Sequence, residues 1–165
     1  MSTLVVLGFD NEAEAQEFGA KIGKLTHERL LVLDDAAMVT RDMEGKPHVE
    51  EGKGLVKVGA LGGAFWGMLF GLIFLMPLFG LAIGAAFGAL GGKLGKMGLD
   101  KQVLEEIGDS IKPGQAGWFL LVRQSTQDKV LDELAGTKAR IIRTNLSHEQ
   151  EETLREVFSG EKTEA

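Results

Sequence analysis

The chain has 165 residues, enough for one domain of ordinary size plus an insertion. A formal charge of −6 with no basic stripe excludes a nucleic-acid-binding surface. The lack of any cysteine excludes disulfides, thiolate nucleophiles, cysteine-bound metals and iron–sulfur clusters, and suits a reducing compartment.

The amino terminus, MSTLVVLGFDNEAEA, has no basic segment ahead of its short apolar run and turns acidic at Asp10, unlike a secretory signal. Thr3 to Phe9 is rich in Val and Leu and reads as a buried strand. Asp10 or Asn11 caps a helix over Glu12 to Leu25, in which Ala15, Phe18, Ile22 and Leu25 recur at helical spacing. Leu30 to Val39 is a second strand. Asp42 to Lys46 forms a turn with Gly45 as its breaker, and Pro47 to Glu50 returns as a short edge strand.

The most unusual stretch follows, from Val58 to Gly92, with no charged residue in its length. It exceeds the roughly 20 residues that one helix needs to cross a bilayer. Pro77 near its middle suits the start of a new helix better than the interior of an old one. Two arms are therefore expected. Glycines recur every fourth residue in each, at Gly59, Gly63, Gly67 and Gly71 and then at Gly80, Gly84, Gly88 and Gly92. Such spacing keeps glycines on one helix face and lets another backbone approach closely, a glycine zipper. The two sets mirror each other about the bond between Leu75 and Met76, as an antiparallel transmembrane hairpin turning at Pro77 requires. Lys53 and Lys57 before the stretch and Lys93 and Lys96 after it read as membrane-interface anchors. They place both ends, and the soluble segments, on the cytoplasmic side. Trp66 lies inside the first arm and reads as a packing residue.

Beyond the arms, Leu99 to Ile111 is a short amphipathic helix carrying Val103, Leu104, Ile107 and Ile111 on one side. Gly117 to Arg123 is an apolar strand. Ser125 is the expected cap of a helix over Thr126 to Ala135, closed by Gly136 and burying Val130, Leu131 and Leu134. Ala139 to Asn145 reads as a strand. Ser147 and Gln150 form a capping box that opens a last helix running to Phe158.

Strand, helix and strand thus occur before the apolar stretch and again after it. The fold class expected is α+β, a ferredoxin-like split βαβ sandwich with an inserted glycine-zipper transmembrane helical hairpin. Residues 1–52 supply the first half of the cytoplasmic domain, 53–98 the hairpin, and 99–165 the second half with extra helices. Leu4 and Val6 alternate with Val5 and Leu7, and Trp118 and Leu120 with Phe119 and Leu121, so the strands are apolar on both faces. One helix layer covers one face; the other needs the extra helices or another subunit.

No chemistry emerges from the polar residues. His27, His48 and His148 lie in separate segments without the spacing of metal ligands. Asp34 and Asp35 are adjacent in a strand and point to opposite faces, one solvated and the other open to pairing. Asp10, Glu12 and Glu14 suit a helix's first turn. The run Gly88 to Gly98 lacks the glycine, lysine and hydroxyl spacing of a phosphate loop. No intramembrane charge marks an ion path.

LVVLGFDNEAEA, LVLDDAAMVTRD, GLVKVGALGGAFWGMLFGLIF, PLFGLAIGAAFGALGGKLGK and GWFLLVR together resemble a bacterial family of predicted membrane proteins, domain of unknown function 1269, over nearly the whole chain. The resemblance implies a bacterial membrane protein and carries no activity with it. The expectation is a non-enzymatic protein of the bacterial inner membrane, with the lipid bilayer and further copies of itself as partners. It takes no cofactor, metal, nucleic acid or evident small-molecule substrate, and acts as a scaffold or membrane-stress component. An oligomeric pore and a membrane-tethered small-ligand sensor are the alternatives.

Overall fold

A computed structural model of the chain describes residues 3–51, 66, 69, 70, 73, 101–144 and 147–159. The elements in order are β1 (Thr3–Phe9), α1 (Glu12–His27), β2 (Leu31–Arg41), β3 (Pro47–Glu51), α2 (Lys101–Ser110), β4 (Ala116–Ser125), α3 (Gln127–Leu134), β5 (Arg140–Thr144) and α4 (His148–Ser159). The fold is α+β. All five strands pair antiparallel in one sheet of order β3-β2-β4-β1-β5. In each β-α-β unit the two strands are held apart by a strand of the other: β4 lies between β1 and β2, and β1 between β4 and β5. Sequence-distant halves therefore interleave, and neither can close the sheet alone. β3 extends the β2 edge as a hairpin.

The local signals explain most boundaries. Asn11 caps α1, its side chain accepting from Glu14 N at 2.8 Å. The reciprocal bonds of the α4 capping box are formed, Ser147 N to Gln150 Oε1 and Gln150 N to Ser147 Oγ, both at 3.3 Å. Gly45 takes the left-handed φ of +87° that the β2–β3 turn demands. Ser125 does not cap α3. It is the last residue of β4, and Thr126 stands at the cap without a side-chain hydrogen bond. The reason is pairing: Ser125 faces Leu31 in the ladder, and the next amide, Thr126 N, donates to Leu30 O at 2.7 Å.

Side chains alternate across the sheet as the strands predict. Val5, Leu7, Trp118 and Leu120 join one core with Phe18, Ile22 and Leu25 of α1, Leu134 of α3 and Phe158 of α4. Leu4, Val6, Phe119 and Leu121 face the other way. That second face is closed by the chain itself. Val103, Leu104, Ile107 and Ile111, in and just after α2, cover it together with the helical residues Trp66, Leu69, Phe70 and Ile73. These four are at most 5% exposed. Phe70 meets Phe119 edge-on at 4.8 Å between centroids, and Trp66 stacks on Phe70 at 5.8 Å. Gly108 of α2 makes room for the approach, since a Cβ there would stand 2.9 Å from the Ile73 carbonyl oxygen.

The first arm of the apolar stretch therefore gives one helical face, at positions i, i+3, i+4 and i+7, to the core of the α+β domain. Among the described residues no helix is long and apolar enough to cross a membrane. The glycines Gly59, Gly63, Gly67, Gly71, Gly80, Gly84, Gly88 and Gly92, the turn residue Pro77, and the anchors Lys53, Lys57, Lys93 and Lys96 lie outside the described residues.

Candidate functional site

The polar residues weighed from the sequence are dispersed. His48 pairs with Asp42 at 3.1 Å inside the β2–β3 turn, and His148 pairs with Glu152 at 3.1 Å along the exposed side of α4. Glu12 accepts from Gln16 at 3.1 Å in the first turn of α1, and Asp10 lies 4.0 Å from Arg140. Asp42 has a displaced acidity. The His48 hydrogen bond, then the Lys46 amide, hold its carboxyl below the usual carboxylate value. Among the described residues no three or more His, Cys, Asp or Glu side chains come together in a way that could hold a metal ion.

Asp34 and Asp35 differ from expectation. The β2–β4 ladder slips around Leu33, so that Asp34 and Arg123 both fall out of register, and the two form an ion pair. A bulge turns side chains that a regular ladder would keep apart toward each other. Asp35, only 3% exposed, is buried, and its Oδ1 accepts from Ala36 N at 2.8 Å. Neither carboxylate is left simply solvated, because the bulge pairs one and the covered sheet face encloses the other.

The geometry that does converge is a cleft of about 230 Å³ between the sheet and the layer of α1, α3 and α4. Its floor includes Val5 and Leu7 of β1 and Leu120 and Val122 of β4, and its walls include Phe18 and Ile22 of α1. The topology orders its lining. Thr3 pairs with Val122, so β1 begins where β4 ends, and α3 and α4 both start from that end and run back along the sheet. Along β1, α3 and α4 the lining passes from polar to apolar, Thr3 then Leu7, Gln127 then Leu134, Gln150 then Phe158, while β4, running the other way, ends polar at Arg123, Gln124 and Ser125. The result is a cleft with a polar mouth and an apolar depth.

Fixed contacts hold the walls. Trp118 Nε1 donates to Ala15 O at 2.7 Å, tying α1 to β4 from beneath. Lys21 Nζ donates to Thr137 Oγ1 at 2.8 Å, and Lys24 pairs with Glu133 at 3.2 Å, tying α1 to α3. Gly136 N donates to Val157 O at 3.1 Å, tying the end of α3 to α4. The sequence reading missed this cleft. Val130 and Leu131, taken as buried, are half-buried lining residues. The available signal was the stripe Gln150, Leu154, Phe158, polar at one end and recurring every fourth residue.

Compared with known proteins, a family model described as "Protein of unknown function (DUF1269)" matches residues 60–159. The match takes in the helical residues of the first arm and everything from α2 to α4. It leaves out β1, α1, β2 and β3. No curated protein and no solved structure matches the chain.

Proposed function

The chain belongs to the DUF1269 family of unknown function, and from that premise we propose a non-enzymatic protein held at the inner membrane of a bacterial cell. Its ferredoxin-like domain faces the cytoplasm. Its apolar hairpin enters the bilayer from that side and self-associates through the zipper glycines, making it a scaffold or membrane-stress component. The observation that carries this reading is the docking of Trp66, Leu69, Phe70 and Ile73 on the sheet. It joins the described residues of the apolar stretch to the domain's core, a route by which an event in lipid would reach the sheet.

Four of the 35 uncharged residues between Val58 and Gly92 are described, and all four belong to that face. In the sequence Gly63, Gly67 and Gly71 keep the four-residue step of a glycine face. A glycine face there is suited to a second helix, from the other arm or from another copy. Holding the first arm against the sheet favours a hairpin that dips into one leaflet over one that stands across the membrane.

The experiment is flotation of the full chain with vesicles, followed by its mass in lipid nanodiscs. The reading predicts co-flotation and a discrete oligomer, with Gly67→Leu and Gly84→Leu shifting the mass to smaller species. A chain that stays behind the vesicles, or variants that keep the wild-type mass, would overturn it.

A further inference from the structure

We propose that the cleft between the sheet and the α1, α3 and α4 layer binds a single-chain amphiphile with a carboxylate head, a medium-chain fatty acid being the simplest member of the class. The inference does not rest on the membrane reading. It concerns the opposite face of the sheet from the docked arm.

Three observations fit this occupant. The cleft is graded along its length, with Thr3, Gln127 and Gln150 at the mouth and Leu7, Leu134 and Phe158 in the depth. A ligand apolar throughout would leave the mouth amides facing hydrocarbon, and one polar throughout would desolvate against Leu and Phe. The ligand must therefore be amphipathic in the same direction.

Charge decides the head. Arg123 is the only charged side chain among the described residues that line the cleft. Its guanidinium is largely exposed, and one of its nitrogens is committed to Asp34. A guanidinium has five N–H donors, so a second carboxylate can share it. The bulge that unseats Arg123 from the ladder brings it to the mouth. Gln127 and Gln150 add amide donors from the first turns of two helices.

Volume sets the length. The cleft's 230 Å³ equals about eight water volumes at roughly 30 Å³ each. A chain of about eight to ten heavy atoms fills such a space, since a methylene and a water are of similar size. Longer acyl chains would have to project from the mouth.

The test is calorimetric titration of the full chain, in nanodiscs of zwitterionic lipid if it floats with vesicles and in buffer if it does not, with the matching blank subtracted, using octanoate, octanol and acetate as probes. Octanoate is expected to bind saturably, octanol about tenfold more weakly for want of the charged hydrogen bond, and acetate not at all. Arg123→Gln should weaken octanoate about tenfold and leave octanol unchanged. Val130→Trp, which fills the cleft from α3, should abolish both; should that variant unfold, Leu154→Phe is the second plug, from α4. Equal binding of octanoate and octanol would overturn the carboxylate assignment. Absence of octanoate binding, or binding that survives a folded plugged variant, would overturn the site. Flotation is read separately, so a chain that fails to bind lipid but binds octanoate refutes the membrane reading alone.

Discussion

The two faces of the sheet are closed in different ways. On one, α1, α3 and α4 lay amphipathic stripes against Val5, Leu7, Trp118 and Leu120, with charged residues such as Lys24 and Glu133 outward. On the other, α2 shares the task with Trp66, Leu69, Phe70 and Ile73, drawn from a stretch with no charge in 35 residues. Both faces are lined by buried core residues, yet the first arm's share of the second does not declare itself by periodicity. A helix that is apolar all round is read as buried, and buried in lipid or buried in protein look the same by composition. The stripe at 66, 69, 70 and 73 was present in the sequence but had no polar background to stand against.

The comparison breaks most readily at its largest side chains. Phe70→Ala and Phe18→Ala each remove a ring at most 1% exposed, one from either face, and each should cost about 3–5 kcal/mol in urea unfolding. A variant pair in which Phe18→Ala destabilises and Phe70→Ala is silent would show that the second face is not closed by the arm. Gly108→Val comes next. A side chain there meets the Ile73 carbonyl, which cannot turn aside as a side-chain tip can, and the expected loss is about 1–3 kcal/mol. An unchanged midpoint would mean that α2 and the first arm do not touch.

On the α1 face, Trp118→Phe keeps an aromatic ring but deletes the donor to Ala15 O. It should cost about 1 kcal/mol and leave Phe70→Ala additive with it, since the two lie on opposite sides of the sheet. Strong coupling between them would mean that the faces are not independent. The smallest effect is at the β2–β3 turn. Asp42 has a lowered pKa, so its contribution is present above the ordinary carboxylate range and lost as pH falls through its folded value, below about pH 4. The amides of Glu44 and Lys46, both donating to Asp42 Oδ1 at 2.9 Å, should shift in NMR spectra over that window. In Asp42→Asn they should not titrate.

Legibility followed the same divide. Asn11 and the Ser147–Gln150 box were readable because a cap is a local bond between residues three apart. An α+β domain built from two sequence-distant halves was readable because strand–helix–strand occurs before the apolar stretch and again after it. Ser125 misled because a good capping residue was claimed by a strand partner, Leu31, ninety-odd positions away in the chain. The Asp34–Arg123 pair and the cleft mouth it helps form were hidden for a related reason: a bulge is a property of two strands together and leaves little trace in either alone.

The most direct test of the central claim, that the first apolar arm is part of the domain's core, is a double-mutant cycle on Phe70 and Phe119, whose rings meet edge-on at 4.8 Å. With Phe70→Leu and Phe119→Leu in place of truncation, the account predicts a coupling of about 0.5–1.5 kcal/mol in unfolding free energy. Additive single effects, with no coupling, would contradict it.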